Sequence, residues 1–206
     1  MYTRIIALIL IITGSVLGIS TLFWHQELKY VQPTPIPENY QEVALTTNIS
    51  IEGITHQYKE KPVFVHFFNP VCPCSRFNLK HFTTLYGTYK QDVQFVAVVP
   101  ESSLIKDAKE LLPSGIPVIG DSNEQIARSC GVYATPQAVL LDKNHQLYYK
   151  GNYNKARYCT QKSSNYAQMA LADMVAGKPA QEYGLLATQA YGCQLSERGL
   201  GINLSF

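Results

Sequence analysis

The stretch PVFVHFFNPVCPCSRF, residues 62–77, decides the fold. Its first seven residues are mostly apolar and rich in Val and Phe, which predicts a buried β-strand. Asn69 and Pro70 then supply a turn, and two cysteines flank one proline just before a helical pattern begins. A strand therefore delivers thiols to the start of a helix. The consequence is chemical: thiolate is the reactive form of cysteine, and the unpaired N–H groups and positive dipole end of a helix stabilise an anion. Cys72 is expected near the N-cap, with Pro73 at the first helical position, where a missing N–H costs nothing. Cys72 is the expected nucleophile.

Working outward, strand and helix patterns alternate. Phe82, Leu85, Tyr86 and Tyr89 form one apolar stripe at helical spacing, and Val93–Val99 is a continuous apolar run of the kind buried on both faces of a parallel sheet. Helical character returns at Leu104–Leu112, a short strand is expected at Pro117–Gly120, and a short helix ends near Cys130, with Gly131 as its C′ residue. Gln137–Asp142 and Gln146–Tyr149 read as a hairpin. A last helix carries Ala167, Leu171, Met174 and Val175 on one face and closes at Gly177 and Pro179. A weak strand is expected upstream, at Ile49–His56. The class is α/β.

With 206 residues, 46% hydrophobic side chains and a net charge of +2, the chain supports one globular domain with appendages and offers no charge surplus for nucleic acid. Residues 5–23 contain no charge and as a helix would span about 28 Å at 1.5 Å per residue, enough to cross a membrane. Arg4 precedes them, so the amino terminus is expected in the cytoplasm and everything after Trp24 outside it. A cleaved signal peptide is the alternative; the run is longer than a usual signal core and no A-x-A site follows. The expected organisation is an anchor or signal segment at 1–24, a Pro-rich linker at 25–42 stiffened by Pro33, Pro35 and Pro37, a domain at 43–178 and a tail extension at 179–206. Five cysteines, at 72, 74, 130, 159 and 193, then face an oxidising compartment, and the odd number leaves at least one without an internal disulfide.

FNPVCPCS at 68–75 together with GVYATPQAVLLD at 131–142 resembles the thioredoxin superfamily, and most closely its membrane-tethered bacterial TlpA and redoxin types, over roughly residues 47–177. The resemblance implies a thioredoxin-like fold, a central mixed β-sheet flanked by helices, here behind an N-terminal transmembrane helix. It implies a cis bond before Pro136, with Thr135 and Pro136 facing the nucleophile and docking an extended thiol-bearing partner by backbone pairing. His66 occupies the position where family members commonly hold a buried acidic group that assists proton transfer; the bland reading is a hydrogen-bonded core histidine. The activity implied is that of a thiol:disulfide oxidoreductase acting on exported protein thiols and disulfides, anchored through residues 5–23 in the inner membrane as a single-pass protein with its domain in the periplasm. No cofactor is expected.

The sequence departs from the family's C-x-x-C, because Ser75 stands where the second cysteine is usual and the second thiol is Cys74. Residues two apart on a helix point about 200° apart, so a Cys72–Cys74 disulfide needs a distorted first turn. Three readings stay open: that disulfide, with Cys74 resolving Cys72; a monothiol-like Cys72 resolved by another thiol; and a soft-metal site, since two thiolates suit Cu(I) delivery. Ser75 also keeps open a thioredoxin-like interaction module without turnover. Cys130 reads as a buried thiol. Cys159 and Cys193 bracket the last helix and are expected to form a structural disulfide; the rival is that Cys193, in Tyr191-Gly192-Cys193 of the tail, reaches Cys72 as the resolving thiol.

Overall fold

Strand β1 (Val63–Phe67) is buried at every position and lies at the centre of a five-stranded sheet. The computed structural model describes residues 2–26, 32–59, 61–155 and 161–195. The chain runs from helix α1 (Tyr2–Gln26) to β1, then α2 (Pro73–Tyr89), β2 (Gln94–Val99), α3 (Ile105–Leu111), β3 (Val118–Gly120) and α4 (Gln125–Cys130). It continues through β4 (Ala134–Thr135), β5 (Gln137–Leu141), β6 (Leu147–Gly151), α5 (Tyr166–Val175), α6 (Leu185–Thr188) and β7 (Cys193–Gln194). The sheet order is β3-β2-β1-β5-β6, with β1, β2 and β3 parallel and β5 and β6 antiparallel to their neighbours. This is the mixed sheet of a thioredoxin-like fold. The near-continuous apolar runs of β1, β2 and β5 follow from burial on both faces.

Alternation along β1 divides the core in two. Phe64, His66 and Phe68 face the side covered by α2, α3 and α5, where Phe82, Leu85, Ala108 and Leu171 are also buried. Phe64 stacks on Phe95 at 5.0 Å between ring centres, and Phe82 stacks on His66 at 4.1 Å. Val63, Val65 and Phe67 face the other side, against α4 and Ile49, Ile51 and Ile54. The expected strand at Ile49–His56 is not formed. Asn48 makes an isolated bridge to Gln146, after which Gly53, at φ +74°, lets the chain curl, and Ile54 N–H and Thr55 N–H both donate to the carbonyl of Ile51. The apolar residues reach the core from turns instead.

The proline-containing strip after α1, expected as a linker, lies along the domain. Pro33 bridges to Tyr191, the Thr34 amide donates to the carbonyl of Ala190, and Tyr40 packs edge-on against Tyr133. Residues 179–195 of the tail are equally built in. Gly151 has no side chain because a Cβ there would run into the carbonyl of Ala187, and the Asn152 amide side chain donates to the carbonyls of Leu186 and Gln189, so α6 seats directly on the end of β6. Helix α1 is long and apolar enough to cross a membrane, with a mean hydropathy of 2.5 over its candidate span and none of it buried against the domain. Phe82 is fully buried among three rings on β1 and β2, so Phe82→Ala is expected to lower unfolding free energy by about 3–5 kcal/mol, read as a fall in the urea midpoint by circular dichroism.

Candidate functional site

The turn from β1 into α2 is held by its own polar groups. The Asn69 carboxamide oxygen accepts from the Val71 amide, the Asn69 carbonyl accepts from the Cys72 amide, and the Ser75 hydroxyl accepts from the Asn69 amide at 3.2 Å. Ser75 is fully buried. The residue that replaces the usual second cysteine therefore fixes the strand-to-helix turn. Cys72 is the N-cap of α2, in extended conformation, with Pro73 at the first helical position, as the residue order predicted. The first turn of α2 carries no acidic side chain, so nothing there offsets the helix dipole beside the Cys72 sulfur.

Cys72 is bonded to Cys193, with Cα atoms 6.3 Å apart and a sequence separation of 121. Cys193 is thus the partner, and the expected pairing of Cys159 with Cys193 is not the one formed, because the Cys193 sulfur is already engaged; Cys159 lies outside the described residues. The Cys72–Cys74 disulfide is not formed either. Cys74 sits within the first turn of α2 and is fully buried, consistent with residues two apart pointing away from each other. In this redox state the two cysteines of the CPC sequence do not present a pair of thiolates. Cys130 is a buried thiol beside Ser129, and burial pushes it up to about 12, which makes it unreactive at neutral pH.

The peptide bond between Thr135 and Pro136 is cis. The Thr135 carbonyl oxygen lies 3.9 Å from the Cys72 sulfur. Strand β4, which ends at Thr135, pairs antiparallel with β7, Ala134 opposite Gln194 and Thr135 opposite Cys193, and the Leu195 amide donates to the Tyr133 carbonyl. Thr135 and Pro136 therefore stand where the sequence put them, and the segment paired with Thr135 is the chain's own tail. Gly192 permits the approach: its φ is +129°, and a Cβ would collide with the Thr135 carbonyl. On the outer side Thr34 donates its hydroxyl to the Gly192 carbonyl. The disulfide lies in a cleft of about 750 Å³ whose rim includes Val71, Pro73, Pro100 and Leu104, with Glu101 as its carboxylate. Val71 is two-thirds exposed.

His66 is fully buried and is not part of that cleft lining. Its neighbours across both ladders are Ala97 and Ala138, two small residues that leave room for the imidazole on the α2 face. Nδ1 lies 2.7 Å from the Tyr153 hydroxyl, and the ring is sandwiched with Phe68 and Phe82. Burial lowers its pKa to about 3, so the imidazole is neutral across the physiological range. Among the residues to which the sequence assigned no role, Gly192, Thr34 and Tyr153 matter most. Only the Tyr-Gly-Cys tripeptide carried a local signal of the first.

A family model described as a domain of unknown function (DUF6436) matches residues 41–195, a range that includes Cys72, the cis-proline loop and Cys193. The thiol-disulfide oxidoreductase ResA of Geobacillus thermodenitrificans (strain NG80-2) is 34% identical over 104 residues, covering 47% of this chain. The chain spans 59% of the length of that curated relative. Among solved structures, a hypothetical protein of Sinorhizobium meliloti 1021 superimposes with a TM-score of 0.61 at 18% identity, over 76% of this chain and 96% of its own. A protein assigned as thiol:disulfide interchange protein DsbE from Chlorobium tepidum gives 0.50 at 16% identity, over 66% of this chain and 99% of its own. These likenesses agree with the thioredoxin-like fold.

The depressed pKa of His66 fixes the sign of one pH effect. A folded-state value near 3 against an unfolded value of about 6.5 means that the unfolded chain binds the extra proton between them, so this contribution is complete above pH 6.5 and is lost as pH falls. The wild-type chain is expected to lose about 2 kcal/mol through this group between pH 7 and pH 5. His66→Phe, which keeps a ring and removes the titration, should abolish that part of the slope in urea unfolding at the two pH values.

Proposed function

We propose that this chain, which belongs to the DUF6436 family, is a membrane-anchored thiol:disulfide oxidoreductase whose working couple is Cys72 and Cys193. The single observation that carries the reading is the disulfide itself: it joins a helix N-cap cysteine to a strand paired with the cis-proline loop. The dithiol form has Cys72 as nucleophile. Its thiolate attacks one sulfur of a partner disulfide, forming a mixed disulfide and expelling the partner's other sulfur as thiolate. Cys193 then attacks the Cys72 sulfur, and the partner leaves as a second thiolate. Two enzyme thiols become one disulfide while one partner disulfide becomes two thiols. The same steps reversed oxidise a partner dithiol.

In this reading Cys193, not Cys74, resolves Cys72. Cys74 and Ser75 belong to the buried first turn of α2, and His66 holds the core through Tyr153 instead of moving a proton. The partners are exported proteins carrying thiols or disulfides, helix α1 is the anchor, and the domain faces the periplasm from the inner membrane. The cleft rim of Val71, Pro73, Pro100 and Leu104 supports a protein partner, since apolar groups beside a reactive thiol favour a chain with side chains to bury.

Thiol–disulfide exchange with a model dithiol, followed by mass-mapped alkylation, tests this. Cys72→Ser is expected to remove at least 99% of exchange activity. Cys74→Ser should retain the Cys72–Cys193 bond and most of the activity, and Cys193→Ser should trap partner on Cys72. Full activity in Cys72→Ser would discard the reading, and loss of the mapped disulfide in Cys74→Ser would return the resolving role to Cys74.

A further inference from the structure

The segment Ala190–Leu195 runs antiparallel to Ala134–Thr135 and puts a sulfur onto Cys72, which is what a docked partner strand would do under the reading above. The edge of β4 takes one strand at a time, because Ala134 and Thr135 lie opposite Gln194 and Cys193, and the Tyr133 carbonyl accepts from the Leu195 amide, while β7 is in place. We propose that residues 190–195 are a tethered stand-in for the partner: they fill the docking edge in the oxidised protein, leave it on reduction, and return by exchanging places with the partner strand. This rests on the oxidoreductase reading and adds to it the identity of the docking surface's occupant and the form a partner must take.

Two features of the tail support the exchange. The strap is short and is anchored upstream by groups that do not depend on the disulfide, so its sulfur-bearing end can leave β4 and stay tethered. Upstream, Asn152 grips the carbonyls of Leu186 and Gln189, and the Tyr191 hydroxyl donates to the Asn154 carbonyl. The part nearest the sulfur is held by β4 and by the two hydrogen bonds from Thr34 to Ala190 and Gly192. The second feature is Gly192, which must lack a Cβ because the Thr135 carbonyl occupies that space. A partner seated in the same register and with the same backbone conformation before its cysteine meets the same carbonyl. The partner is therefore an extended protein segment with glycine immediately before its cysteine.

The redox step balances as a strand exchange. The Cys72 thiolate attacks the disulfide of the docked segment, a Cys72–partner disulfide forms, and the first partner thiolate departs. As β7 re-pairs with Thr135, the Cys193 thiolate attacks the Cys72 sulfur, and the second partner thiolate leaves together with its strand.

Hydrogen exchange on the full chain in detergent micelles, oxidised and reduced, reads the strap directly. Amides in residues 133–135 and 190–195 are expected to exchange at least tenfold faster in the reduced protein; equal protection in both states overturns the proposal without any variant having to fold. The second arm uses the disulfide-linked dimer of the peptide Ala-Tyr-Gly-Cys-Gln-Leu as oxidant. Wild type should release peptide and close Cys72–Cys193, whereas Gly192→Val, whose side chain prevents β7 from seating, should accumulate the Cys72–peptide disulfide at least tenfold. A peptide with Val in place of its Gly should react with wild type at least tenfold more slowly. Closure of the Gly192→Val tail at the wild-type rate, or indifference to the peptide's glycine, overturns the proposal. Glutathione disulfide separates the two levels: if reduced wild-type Cys72 fails to react even with it, the oxidoreductase reading itself falls, and if it reacts while the strand-exchange results fail, only the strap does.

Discussion

Two antiparallel residue pairs, Ala134 with Gln194 and Thr135 with Cys193, bring the end of the described chain to the start of α2. The geometry of the sulfur site follows from this pairing. It aligns the Cys193 backbone with Thr135, and it requires a residue without a side chain at 192. It also closes a loop of 121 residues when the disulfide forms. The pairing is in turn made possible by the cis-proline loop, which ends β4 beside the Cys72 sulfur, and by the Asn69–Ser75 turn, which sets Cys72 at the helix start. The thiol chemistry and the backbone hydrogen bonding are thus one arrangement.

Beneath that site the sheet does the positioning. β1 is the central strand, so a shift in its register would move Cys72 and every residue paired with it on β2 and β5. The buried polar contact between His66 and Tyr153 ties β1 to the segment after β6, with Ala97 and Ala138 leaving the space it needs. A hydrogen bond of this kind adds modest net stability but is costly to break, because it would leave two buried polar groups without partners. It acts as a locator for the strand that carries the thiol.

What could be read from the chain before folding was the local part. The apolar run at 62–68, the turn at Asn69–Pro70 and Pro73 after Cys72 specify a strand, a turn and a capped helix by short-range rules, and the structure has all three. Thr135 and Pro136 were legible through the resemblance. The choice among cysteines was not, because a disulfide between residues 72 and 193 depends on how a two-residue strand docks far away in sequence, while Cys159 looked nearer to Cys193 along the chain. His66 was placed correctly on β1, but the alanines that flank it become neighbours only once the ladder register exists. At residues 49–56 the apolar residues were read as a strand, and the positive φ of Gly53 turned them into a curl with the same buried side chains.

The strip that holds the tail from outside is also the continuation of the membrane-competent helix. Fully extended, the chain between Gln26 and Pro33 reaches at most about 25 Å at ~3.6 Å per residue, and Pro33 bridges to Tyr191, two residues from Cys193. With α1 in a bilayer, the sulfur site becomes a short-range instrument. Its working radius, measured from the membrane, is set by a few residues of chain.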